Sequence, residues 1–207
     1  MSSMSRRALR IGIVGPLAAG KTAVLRMLRD LGAVTVVADE VSRSLLQPGK
    51  PLLDRVLEAF GREYARPDGS LDRAALGRLV FADDEARQRL EALTHPAMLA
   101  GTRRLIEEAE ERGAAVVAIE AAVLYVMGAD RLVDRVILVT ADREERLRRL
   151  MARDGLSRQQ ADERLRLHER LGLDHPPADV VIDTTAGIED TRRRVLEVWR
   201  ELTGEGV

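Results

Sequence analysis

One octet, Gly15-Pro16-Leu17-Ala18-Ala19-Gly20-Lys21-Thr22, constrains this chain more than any other feature. It fits G-x-x-x-x-G-K-[ST], the phosphate-cradling loop known as the P-loop. That loop works only between a strand and a helix, because loop N–H groups and the helix N-terminus must face the same anion. The neighbours comply. Leu9 to Val14 is a short apolar strand candidate. Ala23 to Leu31 is apolar at helical spacing and ends at Gly32, a residue suited to a C-cap. The lysine is itself informative. Of 33 basic residues only Lys21 and Lys50 are lysines, and the rest are arginines. A compact ammonium slips between phosphate oxygens where a planar guanidinium is too wide. The loop therefore nominates Gly15, Leu17, Ala18, Ala19, Gly20, Lys21, Thr22 and Ala23 for nucleotide binding, with the Thr22 hydroxyl directed at Mg²⁺.

Five β-rich runs recur along the chain: Ile11 to Val14, Val34 to Ala38, Ala115 to Ile119, Arg135 to Val139 and Val180 to Ile182. Their cores are continuously apolar, as in strands covered on both faces. Strands of that kind, separated by helical stretches, imply an α/β fold with a parallel sheet and a site at the strand carboxyl ends. About 75 residues separate the second and third runs, far more than a crossover helix needs. Pro51 to Phe60, Arg73 to Phe81, Glu85 to Leu93 and Ala97 to Arg112 read as helices there. Residues of about 40 to 100 are thus a helical insertion placed to cover a second substrate, and 1–39 with 101–207 form the core.

Composition narrows the functional classes. Hydrophobic residues make up 45 % of the 207 residues and aromatics only 2 %, so the core is built from Leu, Val and Ala. A net charge of −1 argues against a broad nucleic-acid-binding face. The absence of cysteine excludes disulfides and thiolate metal sites, and no apolar run reaches membrane-spanning length. The expectation is a soluble cytoplasmic protein without nucleic-acid or membrane partners, a monomer or weak homo-oligomer.

Three further features bear on chemistry. Asp39 follows the second strand, where a carboxylate can accept or orient the proton of an attacking hydroxyl; the competing role is the N-cap of the next helix. Glu120 ends a four-residue apolar run, as does the acid of a Walker B strand that helps hold Mg²⁺; the competing role is a capping or ion-pairing acid. Asp142 to Arg170 carries nine arginines. One function is a lid whose cations close over a transferring phosphoryl group, and the other is a solvated helix paired with its own acids. His95 before Pro96 suits a helix start, and His168 and His175 are expected to be exposed.

In order along the chain, the P-loop, Ala38-Asp39-Glu40-Val41-Ser42-Arg43, Phe60-Gly61, Leu71-Asp72-Arg73, Leu93-Thr94-His95-Pro96, Ile119-Glu120-Ala121-Ala122-Val123-Leu124, Arg149 to Asp154 and Ala178 to Asp183 resemble the dephospho-coenzyme A kinases. The resemblance implies a nucleotide-kinase-like P-loop fold with three layers, a five-stranded parallel sheet, a helical coenzyme A-binding insertion and a lid at about 142–170. It implies ATP- and Mg²⁺-dependent phosphorylation of the ribose 3′-hydroxyl of dephospho-coenzyme A. Lys21, Asp39 and Arg149 are then catalytic, with Asp39 the base. Arg149, Arg153 and Thr184 join the nucleotide site, and Thr22 and Glu120 hold the metal. Another small-molecule or nucleotide P-loop kinase, or a catalytically degenerate nucleotide- or coenzyme A-binding paralogue, are the alternatives. They arise because the family pattern is altered at Pro16, Ala18, Ala19, Val37, Val126, His168 and Thr184.

Overall fold

The computed structural model describes residues 7–121, 124–170 and 176–204. Five strands form one sheet: β1 (Leu9–Val14), β2 (Val34–Val37), β3 (Val116–Glu120), β4 (Arg135–Thr140) and β5 (Val180–Asp183), in the order β2-β3-β1-β4-β5. β1 pairs in parallel with both β3 and β4, and β4 pairs in parallel with β5. α-Helices fill the connections from β1 to β2, β2 to β3 and β4 to β5, whereas among the described residues the connection from β3 to β4 holds only a 3-10 turn at Ala129–Leu132. The three central strands are buried almost throughout, while the edge strands β2 and β5 keep exposed positions such as Val34 and Val181. Continuous apolar runs therefore mean two-sided burial only in the middle of the sheet.

Eight α-helices accompany the described strands: α1 (Lys21–Asp30), α2 (Ala38–Leu45), α3 (Pro51–Phe60), α4 (Arg73–Ala82), α5 (Asp84–Glu111), α6 (Arg143–Asp154), α7 (Arg158–Arg170) and α8 (Ile188–Thr203). The chain divides into two compact units, one running to Val36 and resuming at Ile106, the other Val37–Leu105. In the first, α1 packs on β1, β3 and α8, and α8 also packs on β5. In the second, Leu46, Leu52, Leu53, Val56, Leu57, Leu71 and Leu76 build a separate leucine-rich core.

Two local expectations fail for identifiable reasons. Ala38 does not extend β2; it opens α2, with Val37 as the extended N-cap. The two helices expected around Pro96 are one helix, α5. Pro96 lacks the N–H that would bond the Ala92 carbonyl, a defect worth roughly 3 kcal/mol in a helix interior. Both residues lie on the exposed face, where water can serve that carbonyl. His95 is consequently a mid-helix residue, half-buried, with its imidazole pKa lowered by loss of solvent. His168 is also half-buried, because it follows Leu165, which turns inward on α7. His175, and Ala122 and Val123 after β3, lie outside the described residues.

Candidate nucleotide site

The loop between β1 and α1 is shaped by close approach to the next strand. Gly15 has φ +141°, and a Cβ there would stand 2.0 Å from the Val139 carbonyl oxygen of β4. No side chain fits that space. Ala18 takes the left-handed conformation at φ 62°, which is unfavourable for an L residue, and Gly20 at φ 95° leads into α1. The Gly20 carbonyl accepts from the Ala23 and Val24 amides, fixing the helix start. Lys21 folds back over the loop, its Nζ donating to the Gly15 carbonyl at 2.8 Å and the Pro16 carbonyl at 3.0 Å. The ammonium is thereby held over the concave backbone. Thr22 is the second residue of α1 and is exposed.

The back of the loop is gripped by the arginine-rich segment. Leu147 and Leu150 of α6 and Ala161 and Leu165 of α7 form a buried cluster, and Leu17 and Ala18 pack against it. The arginines of this segment divide by their partners. Arg148 pairs with Glu145, Arg158 with Glu144, Arg143 and Arg166 with Asp162, and Arg164 with Asp154. Arg153 also pairs with Asp154 at 2.8 Å and remains largely exposed.

Arg149 behaves differently. Its Nε donates to Glu145 at 2.7 Å, its Nη1 to the Thr184 hydroxyl at 2.7 Å and its Nη2 to the Thr184 carbonyl at 2.7 Å. Thr184 is buried at the end of β5. Its hydroxyl has the Ala19 carbonyl at 2.8 Å and the Thr140 carbonyl at 3.2 Å as acceptors for one proton. A single threonine thus ties the P-loop, the ends of β4 and β5, and α6 together. The Glu145 carboxyl is pulled down to about 2, chiefly by its hydrogen bond from Arg148 and then by Arg149.

These groups border a cleft of about 340 Å³ whose walls include Gly20, Ala23, Arg149, Thr184, Ile188 and Thr191. It has an apolar side in Ile188, which is 53 % exposed although it begins a helix packed on the sheet. Ile188, Thr191 and Gly187 are not singled out by the sequence reading. The signal is there: the turn after β5 is itself a strand carboxyl end. Arg153 points elsewhere, to Asp154. Glu120 is the half-buried last residue of β3, paired in register with Ile13. Asp39, in the other compact unit, is exposed in the first turn of α2; Val37 fills the N-cap position, so capping does not explain Asp39.

A family model described as dephospho-CoA kinase matches residues 9–190. A dephospho-CoA kinase of Geobacter sulfurreducens is 42 % identical over 189 residues, covering 91 % of this chain and 96 % of the relative. One from Symbiobacterium thermophilum is 41 % identical, covering 94 % and 81 %. A crystal structure of a Thermus thermophilus protein superposes with a TM-score of 0.73 at 33 % identity, covering 95 % of this chain and 99 % of that one. A shikimate kinase from Acinetobacter baumannii, 20 % identical, shares the fold with a TM-score of 0.52 over 97 % and 96 % of the two chains. The P-loop held against β4, the parallel sheet and a family match over nearly the whole length agree: the chain belongs to the dephospho-CoA kinase family.

Proposed function

We propose that this protein transfers the γ-phosphoryl group of ATP to the ribose 3′-hydroxyl of dephospho-coenzyme A, giving coenzyme A and ADP. The observation that carries the reading is the Lys21 ammonium seated on the Gly15 and Pro16 carbonyls, in a chain matching the family from residue 9 to 190. When ATP arrives, phosphate oxygens replace those carbonyls as the lysine's partners. The loop amides and the N-terminus of α1 add donors at the same place. The cleft beside Gly20 and Thr184 takes the nucleoside, with Ile188 against the base.

Mg²⁺ suits the donors available. The Thr22 hydroxyl and the Glu120 carboxylate are hard oxygen ligands. Among the described residues no group of three or more His, Cys, Asp or Glu could form an all-protein cage. That matches an ion held largely by phosphate oxygens and water. Bound there, the ion would neutralise phosphate charge.

Asp39 receives the proton from the 3′-hydroxyl as that oxygen attacks. Arg149 closes over the transferring group, joined by Arg153 once that side chain leaves Asp154, and guanidinium charge there stabilises the spreading negative charge. Arg149 enters this role from its bonds to Thr184 and Glu145, so closure exchanges those partners for phosphate. The helical unit Val37–Leu105 takes the acceptor. Among the described residues no helix is long and apolar enough to cross a membrane, which is consistent with work in the cytoplasm on soluble substrates.

The test is ADP release over a panel of dephospho-coenzyme A, adenosine monophosphate, other nucleoside monophosphates and shikimate. Dephospho-coenzyme A should be preferred by kcat/KM. Lys21→Ala and Asp39→Asn should each lose ~10²-fold or more in turnover, with the fold retained by circular dichroism. Preference for another acceptor overturns the substrate assignment. Normal turnover in Lys21→Ala overturns the loop's role.

A further inference from the structure

Within the helical unit, Asp39 and Arg43 stand four residues apart on α2, so they share a face about 6 Å apart along the axis. Both are exposed. Arg73 opens α4 directly after its N-cap, Asp72. The Asp72 carboxylate is committed to the Ala74 and Ala75 amides at 3.1 and 2.9 Å, with Arg66 at 3.8 Å. Leu45 and Leu46 at the end of α2 and Leu71 and Leu76 around the start of α4 belong to one core, so the two elements pack on the same leucines. The proximity of Arg73 to Arg43 and Asp39 is felt electrostatically. Loss of solvent and then the charge of Arg43 lower the proton affinity of Arg73, and Asp39 opposes them. Among the described residues neither Arg43 nor Arg73 forms an ion pair within 4.0 Å, whereas the arginines of α6 and α7 named above are matched with acids.

Two guanidiniums and one carboxylate leave an unbalanced positive charge. Keeping like charges together with partial loss of solvent is unfavourable until an anion joins them. A guanidinium fork binds phosphate oxygens in pairs, which a lysine cannot do. The acceptor carries a diphosphate with one negative charge on each phosphate, attached at the 5′ carbon of the ribose that bears the 3′-hydroxyl. We propose that Arg43 and Arg73 bind this diphosphate and so fix the ribose with its 3′-hydroxyl at Asp39. The assignment rests on the reading of Asp39 as the acceptor's base. It makes the pair the element that selects a 5′-diphosphate ester over an uncharged nucleoside with the same hydroxyl.

The experiment compares Arg43→Ala, Arg73→Ala, the double variant and both Arg→Lys variants. Each is assayed with dephospho-coenzyme A and with adenosine, an acceptor that has the 3′-hydroxyl but no phosphate. Each single alanine variant should raise KM for dephospho-coenzyme A by ~10-fold or more, the tenfold corresponding to about 1.4 kcal/mol. KM for ATP and kcat/KM for adenosine should stay unchanged, and the lysine variants should recover only part of the loss. An unchanged KM for dephospho-coenzyme A in the double variant overturns the proposal. Equal losses on adenosine also overturn it, since they mark a structural role. If the wild-type protein releases no ADP with dephospho-coenzyme A, the reading of function fails separately. The pair is then judged by calorimetric titration of that compound into wild type and double variant. A Kd weakened tenfold supports it, and an equal Kd or no binding to either overturns it.

Discussion

Replacing Thr184 by valine removes one hydroxyl from the point where loop, sheet and α6 meet. The side chain is 4 % exposed, so water cannot take the place of that hydroxyl. One bond from the Arg149 guanidinium is lost, of a class worth ~1.5–3 kcal/mol, together with one neutral bond of ~0.5–1.5 kcal/mol to the Ala19 carbonyl. Arg149 is 25 % exposed and recovers some hydration, which reduces the first figure. The valine methyl also stands where an oxygen sat 2.7 Å from a nitrogen, closer than the ~3.5 Å that carbon prefers. The net expectation is a loss of about 2–3 kcal/mol. For a chain of this size that lowers Tm by roughly 4–12 °C. Because the Ala19 carbonyl belongs to the P-loop, KM for ATP should rise about tenfold, equivalent to about 1.4 kcal/mol. Thr184→Ser, which keeps the hydroxyl, should fall near wild type in both assays. Differential scanning calorimetry and steady-state kinetics on the three proteins decide the matter. A Thr184→Val protein with unchanged Tm and unchanged KM refutes the claim that this hydroxyl braces the loop.

Other expectations follow from the same geometry. Gly15→Ala forces a Cβ to 2.0 Å from the Val139 carbonyl, so the loop must move by about 1 Å, enough to lower phosphoryl transfer by ~10²-fold; near-normal kcat/KM would contradict it. Gly101→Ala drives a methyl to 2.7 Å from Val41 Cγ1, a stiff side chain on α2, and should cost ~1–3 kcal/mol in urea titration. Gly77→Ala, in open space on α4, should instead be neutral or stabilising by up to ~1 kcal/mol. The Glu145 carboxyl is held at about 2 against an ordinary 4.5, so its contribution to stability is complete above 4.5 and lost as pH falls toward 2. Glu145→Gln should flatten the acid side of the stability profile in that window; an unaltered slope there would count against the Arg148 and Arg149 pairings.

Features set by local periodicity could be read from the sequence. The five strands, the P-loop and the helix Pro51–Phe60 depend on runs of neighbouring residues, and the single five-stranded sheet fits that reading. What escaped depends on partners distant in sequence. Nothing near Arg149 announces that its guanidinium will be held by Thr184, 35 residues on, and not left in solvent. Ile188 looks like any first helical residue until Arg149 and Gly20 make a cleft beside it. Pro96 misleads because proline usually marks a helix end; here its missing bond falls on the solvent side, which no windowed pattern reports. Asp39 reads as a competing cap in the sequence because one residue of register, Ala38 in helix and not strand, cannot be fixed from propensity.

The central claim concerns where the phosphate goes. Purified protein, ATP, Mg²⁺ and dephospho-coenzyme A should yield one ADP per molecule of product. Phosphorus–proton correlation NMR of that product should find a new phosphomonoester coupled to the ribose H3′. ADP formed without a phosphorylated acceptor, or a phosphate on any other oxygen of the acceptor, would contradict the account.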